Sequence, residues 1–257
     1  MDLGIRDRVA IVAASSKGLG RAVAEALAAE GVRLALCSRS LEGVEAAAQE
    51  IRERHGTQVL ARAVDVGQPA EIARFVEDVA TELGKVDICV ANAPGPPIKR
   101  FMDATLEDWR QAIELNLLAS VELARATLPH MVAGGWGRLV MMSSIVAKQP
   151  EDGFLLSNAV RPGVSGLVRT LASEFGPHGI TVNAVLTGTF TTERLNRVSS
   201  DGGAPPQFDR WIKGSALGRL GRPEEFGAVV AFLCSQGAGF VTGSSIAVDG
   251  GLAKFLF

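Results

Sequence analysis

The residues best suited to chemistry begin at Ala13, where A-A-S-S-K-G-L-G runs to Gly20 between a β-rich apolar run and a helical one. In that setting Gly18 lets backbone N–H groups approach a pyrophosphate, Gly20 lets helix and strand pack closely, and the positive end of the helix holds the anion. Ser15, Ser16, Lys17 and Leu19 complete the candidate loop. The competing reading is an ordinary glycine-containing turn, but the strand, turn and helix context favours a nucleotide. After the next strand comes C-S-R-S with Arg39. A fold selecting NAD(H) places an acidic residue there, against a ribose hydroxyl, whereas an arginine suits a 2′-phosphate, and Lys17 can join it. The pair therefore points to NADP(H) in preference to NAD(H), although either cation alone also reads as a solvated surface charge.

Elements must position these groups. Short apolar runs rich in β-formers occur at Val9–Ala14, Val32–Cys37, Gln58–Val66, Val86–Asn92, Gly137–Ser144, Ile180–Leu186 and Ser245–Gly251. Amphipathic segments lie between them, such as G-R-A-V-A-E-A-L-A-A-E-G and P-A-E-I-A-R-F-V-E-D-V-A-T-E-L-G, the second with Gly84 at its C-cap. That alternation predicts an α/β fold, a Rossmann-like doubly wound parallel sheet of about seven strands with helices on both faces. Ligands of such sheets bind at the carboxyl ends of the strands, so functional groups belong at the strand-to-helix junctions.

Composition bounds the rest. The chain has 257 residues, 47% of them apolar, and 29 glycines, enough for one sizeable core, so a single domain over 1–257 is expected. The 26 basic and 28 acidic residues are interspersed and net to −2, which offers no footprint for nucleic acid. A small-molecule partner is expected instead. Cys37, Cys89 and Cys234 are odd in number, far apart and set in apolar runs, reading as reduced core thiols in a cytoplasmic protein. No residue cluster reads as a metal site. The start M-D-L-G-I-R-D-R lacks a basic leader with an apolar run behind it, and no apolar stretch approaches the ~20 residues that span a bilayer. The region from about Thr187 to Gly221 is irregular and reads as a flap over a pocket or, equally, as a solvated loop.

With these motifs assembled, the chain resembles the short-chain dehydrogenase/reductase family, and within it 3-oxoacyl-[acyl-carrier-protein] reductases and related sugar or steroid dehydrogenases. The resemblance covers nearly the whole length. It includes V-D-V at Val64 to Val66, where the family sets Asp65 and Val66 near the adenine, and A-N-A-P-G at Ala91 to Gly95, where Asn92 and Ala93 would line the cofactor channel. E-L-N-L-L around Asn116 matches the family's helix-four asparagine, and M-M-S-S-I places Ser144 at its catalytic serine. The segments L-G-R-L-G-R-P-E-E and V-T-G-S-S-I-A-V-D-G-G complete the match.

The catalytic pair departs from it. The family places a tyrosine thirteen residues after the serine and a lysine four later, but here those positions are Ser157 and Arg161, and the chain has no tyrosine at all. A phenol titrates near 10 and can be tuned toward neutrality by an adjacent cation, and an aliphatic alcohol is far less acidic. Arg161 keeps a permanent charge, but its planar fork differs from an ammonium. Pro162 predicts a kink, or a late helix start with the proline in its first turn, either of which would displace Ser157 and Arg161. At the cofactor, Ala13-Ala14 stand where the family has threonine and glycine, losing a hydroxyl that ties the loop, and Thr187-Gly188 stand where it has Pro-Gly beside the nicotinamide.

Two readings follow. One is an atypical NADP(H)-dependent oxidoreductase that reduces the carbonyl of a ketone or acyl thioester to an alcohol, the proton coming through Ser144, Ser157 and water or from Lys148, Glu151 or Asp152, although those three read foremost as solvated loop charges. The other is a non-catalytic relative, a nucleotide-binding or partner subunit. His55, His130 and His178 read as structural or surface residues. The resemblance further implies a homotetramer built through the helices around Asn116 and Ser165 and the terminal F-L-F. Phe190, Phe208, Trp211 and Ile212 make the flap apolar enough to cover a hydrophobic substrate or, equally, serve to pack the flap down, and Arg194, Arg197 and Arg210 give only a weak hint of a docking surface for a carrier protein.

Overall fold

The structure, a computed structural model, describes residues 2–193 and 211–256. Seven parallel strands, β1 (Val9–Val12), β2 (Arg33–Ser38), β3 (Val59–Ala63), β4 (Ile88–Ala91), β5 (Gly137–Ser144), β6 (Ile180–Thr187) and β7 (Ser245–Val248), form one sheet in the order 3-2-1-4-5-6-7. Each lies where the apolar runs predicted. The ends are trimmed where the backbone turns: β1 stops before Ala14, whose φ is +47°, and β7 stops before Gly250 and Gly251 at +65° and +74°.

Side chains alternate across each strand, so the sheet feeds two cores. On one face Ala10, Val12, Leu34 and Leu36 meet Val23 and Leu27 of α1 (Gly18–Ala29), Val44 and Ile51 of α2 (Leu41–His55), and Phe226 and Val230 of a late helix over Pro223–Leu233. On the other, Val9, Ile11, Leu139 and Val182 meet Phe75 and Val79 of α3 (Pro69–Leu83), together with helices over Ala119–Gly134 and Leu155–Phe175. In chain order we number the helices after α3 as α4 (Leu106–Ile113), α5 (Ala119–Gly134), α6 (Leu155–Phe175) and α7 (Pro223–Leu233).

Local chemistry sets the helix ends. Ser40 accepts from the Gly43 N–H to cap α2, Thr105 and Asp108 form a reciprocal capping box on α4, and Gly56, Gly84 and Gly135 take the left-handed conformation that ends α2, α3 and α5. Between α4 and α5 one wide turn of π-helix, Glu114–Leu118, carries Asn116. Such a turn inserts an extra residue per loop of backbone and re-aims side chains on the same axis. Strand order reverses between β1 and β4, the switch point at which a crevice opens beyond the strand ends.

Candidate functional site

The crevice is a cavity of about 680 Å³ that runs from the loop after β1 to the C-terminal ends of β5 and β6. At its first end, Gly18 has a φ of +61°, a conformation open to glycine at no steric cost. Gly20 packs against the loop it leaves, because a Cβ there would overlap the Ala14 carbonyl oxygen and meet Asn92 Nδ2 at 2.9 Å. The N-cap residue of α1, Lys17, gives no side-chain cap, and Gly18, Leu19 and Gly20 of its first turn border the cavity with no side-chain acceptor among the described residues. Ser16, Lys17 and Leu19 line the same end.

Ser15 does not. It is fully buried, and its hydroxyl donates to the Val12 carbonyl at 2.8 Å while its N–H reaches Cys37 O at 3.0 Å. The loop tie expected to vanish with the threonine is thus supplied two residues later, a role that spacing alone did not reveal. Asn92 adds a second tie, donating from Nδ2 to Ala14 O at 3.2 Å. Ala14, where the family has glycine, is forced to a φ of +47°.

Arg39 and Lys17 both line the cavity, as do Asp65, Val66, Asn92 and Ala93. Arg39 is exposed and makes no hydrogen bond or ion pair among the described residues. Lys17 pairs with Glu193, Nζ to Oε2 at 2.9 Å. Asp65 turns one carboxylate oxygen to the Gly67 N–H at 3.0 Å, which fixes the turn after β3.

At the far end α6 starts at Leu155 and runs without a break to Phe175, with Pro162 inside it. The expected late start is not seen. Pro162 is exposed, so its ring projects to solvent and water can take the place of the missing N–H at the Asn158 carbonyl. Ser157 and Arg161 consequently both reach the cavity wall. Arg161 is 9% exposed, and its guanidinium bridges two elements, donating from Nη2 to Asn116 Oδ1 at 2.8 Å and from Nη1 to the Met142 carbonyl at 3.3 Å. Asn116 itself does not line the cavity; it stands behind Arg161 and positions it.

Ser144 lines the cavity and accepts weakly from the Val146 N–H at 3.4 Å, and the Ser157 hydroxyl has no hydrogen-bond partner among the described residues. Thr187 donates to the Ser143 carbonyl at 3.0 Å, and Gly188 lies where a Cβ would meet Asp249 Cα at 2.5 Å. Two neighbours were not foreseen: Ser143 and Thr189 border the cavity, their hydroxyl oxygens buried in its wall and without a hydrogen-bond partner among the described residues. Their burial depends on strands and loops far apart in sequence, and no local pattern carries it. Phe154 and Trp211 stack with ring centroids 4.9 Å apart and form an aromatic wall at this end.

The alternative proton sources are not in the cavity. Asp152 is exposed, Lys148 is exposed and donates to Ser245 O at 3.4 Å over the Phe255 ring, and Glu151 lines a separate cavity of about 250 Å³. Each sits in the loop leading into α6, which directs these side chains away from the larger cavity. The three histidines are also remote: His55 pairs with Glu25 at 2.8 Å, His130 with Glu77 at 3.5 Å, and His178 lies against Phe175. The cysteines are buried and free, and desolvation pushes each thiol up to about 12. Among the described residues no cluster could hold a metal ion, and no helix is long and apolar enough to cross a membrane. Phe208, Arg194, Arg197 and Arg210 lie outside the described residues.

A dinucleotide fits these donors. The helix terminus at Gly18 and Gly20 suits a pyrophosphate, two cations at Lys17 and Arg39 suit an adenosine phosphate, and Arg161 with the Ser144 and Ser157 hydroxyls suits ribose and amide oxygens.

Comparisons with known proteins agree in extent. Residues 13–253 match the family described as Enoyl-(Acyl carrier protein) reductase. The chain is 31% identical over 252 residues to the 3-oxoacyl-[acyl-carrier-protein] reductase FabG of Aquifex aeolicus, covering 98% of this chain and 100% of that one. It is 32% identical over 248 residues to human dehydrogenase/reductase SDR family member 4, covering 96% and 88%. Among solved structures, L-sorbose reductase from Gluconobacter frateurii complexed with NADPH and L-sorbose superposes with a TM-score of 0.92 at 33% identity over the full length of both chains.

Proposed function

The chain belongs to the short-chain dehydrogenase/reductase family of oxidoreductases, and on that premise we propose that it binds NADP(H) and reduces the carbonyl of a ketone or 3-oxoacyl-type substrate to an alcohol. One observation carries this reading: a single cavity joins the Gly18, Lys17 and Arg39 end to the Ser144, Ser157 and Arg161 end. The relative solved with NADPH and a sugar substrate has the same fold throughout.

Lys17 and Arg39 would hold the 2′-phosphate, the Gly18–Gly20 terminus the pyrophosphate, and Arg161 the nicotinamide ribose. The nicotinamide, when bound, supplies the reducing equivalent. The chain's own contribution is to orient the substrate oxygen and to deliver one proton to it. Ser144 and Ser157, which line the cavity, would do this, an aliphatic alcohol serving as a relay that passes a proton from water instead of releasing its own. Arg161, held by Asn116 and Met142, keeps its charge at every working pH and stabilises developing negative charge on that oxygen. The Phe154–Trp211 wall favours a substrate with an apolar or ring-bearing face.

A second reading has its own support. Among the described residues no tyrosine, histidine, cysteine or carboxyl lines the substrate end, which suits a nucleotide-binding subunit without turnover. A homotetramer in the cytoplasm accompanies either reading, supported by exposed Leu106, Ile113, Leu118 and Leu256 and by three free buried thiols. Light scattering that gives a monomer mass rejects the tetramer.

The test of function is a fluorescence titration with NADPH and NADH followed by turnover of a carbonyl panel. Binding that favours NADPH, with turnover, supports the reductase. Binding without turnover of any carbonyl supports the second reading, and no binding at millimolar concentration rejects both.

A further inference from the structure

We propose that Glu193 is an internal competitor for the 2′-phosphate of the cofactor and so sets how strongly the protein prefers NADP(H) over NAD(H). The inference rests on the cofactor reading above and adds a specificity-determining residue to it.

Lys17 follows β1 and Glu193 follows β6, two strands separated in the sheet by β4 and β5. Their ion pair, 2.9 Å long, therefore crosses the cavity that both residues line. Glu193 follows a well-anchored strap, residues 189–191. The Thr191 N–H donates to Gly221 O at 2.9 Å, the Gly221 N–H returns to Thr189 O at 3.0 Å, and Phe190 sets its edge against Phe226 with centroids 5.4 Å apart. The strap passes over the start of α1, where Thr192 Cγ2 lies 4.0 Å from the Cβ position of Gly18. The carboxylate is thus held beside the group of N–H donors and cations that would receive phosphates.

The two cations are not equivalent. Arg39 has no partner among the described residues, while Lys17 is already engaged. A 2′-phosphate that uses both must either take Lys17 from Glu193 or share the ammonium with it. In the first case an ion pair is lost, and in the second a carboxylate stands against a phosphate; both oppose binding. Both side chains are more than half exposed, so the pair is weak enough for a charged phosphate held by two cations to overcome. A cofactor without the phosphate leaves the pair untouched. Discrimination follows from that difference.

Calorimetric titration of the full chain with NADP⁺ and NAD⁺, which differ only in the 2′-phosphate, tests this. Glu193→Gln is expected to tighten NADP⁺ by about 3- to 5-fold, the size of one surface charge pair, and to leave NAD⁺ unchanged. In a Lys17→Met background the same substitution should yield less than about half of that gain, since the contested cation is gone. Unchanged NADP⁺ affinity in Glu193→Gln, or equal tightening of both nucleotides, overturns the inference alone. Failure of the wild-type protein to bind either nucleotide overturns the cofactor reading and the inference with it. An unchanged thermal midpoint confirms that the variant is folded, as expected for a residue that lies on the surface.

Discussion

Arg161 Nη2 lies 2.8 Å from Asn116 Oδ1, joining α6 to the π-helical turn across 45 residues of sequence, in a region where both side chains are at least nine-tenths buried. A buried cation requires acceptors of this kind, and the widened turn is what aims the asparagine at it.

Asn116→Ala removes that acceptor and leaves part of the guanidinium desolvated. The expected loss is about 1.5–3 kcal/mol of stability, the range for a hydrogen bond to a charged group. Urea unfolding checks it. A loss below about 0.5 kcal/mol would mean that Asn116 does not hold Arg161.

Returning the family's pair in Ser157→Tyr with Arg161→Lys places a phenol and a compact ammonium on the same wall of the cavity. A positioned general acid contributes roughly 100- to 10,000-fold, so carbonyl reduction by the double variant should rise by at least about tenfold even with imperfect alignment. Its rate should also gain an ionisation that the wild type lacks. Turnover assays from pH 6 to pH 10 would show either effect, and the absence of both would count against reduction at this site.

Ala14 is held at a φ of +47°, in the left-handed region that disfavours a Cβ by roughly 1–2 kcal/mol. Glycine relieves that strain and adds about 0.4–1 kcal/mol of unfolded-chain entropy, so Ala14→Gly should stabilise the protein by about 0.5–1 kcal/mol. Gly18→Ala, at a φ of +61°, should shift stability the other way. Thermal unfolding of both variants gives the signs.

Acid sensitivity should be localised. The Lys99 ammonium, then the Thr105 N–H and hydroxyl, hold the Asp108 carboxyl down at about 2, and Arg219 with the Arg222 N–H does the same for Glu225. Both folded-state values lie below the ordinary carboxylate value near 4. Their contribution is therefore fully present above about pH 4 and is lost as pH falls toward about 2. Urea midpoints measured across that window should fall, and Asp108→Asn should flatten the fall while lowering stability at neutral pH.

Much of this was legible in the residues. Val9–Val12, Gly137–Ser144 and the other strands follow from apolar runs of the right length, and Gly18, Lys17 and Arg39 follow from their place at strand ends, because a parallel sheet delivers its junctions to one edge. The late helix start expected of Pro162 did not occur, since proline's local cost says nothing of which side of the helix meets water. Lys148, Glu151 and Asp152, read foremost as solvated loop charges, do not line the cavity, because closeness in sequence to Ser144 and Ser157 does not aim a loop side chain into it.

The residues alone were enough for the sheet, for the glycine-bearing loop after β1 and for the absence of tyrosine, all of which depend on local periodicity or on residue type. It took the folded chain to show that Asn116 holds Arg161, that Ser15 ties the loop, that the Ser143 and Thr189 hydroxyls are buried without partners among the described residues, and that Glu193 holds Lys17. Partner choice between distant residues is an outcome of packing, in which burial fixes which polar groups must find one another.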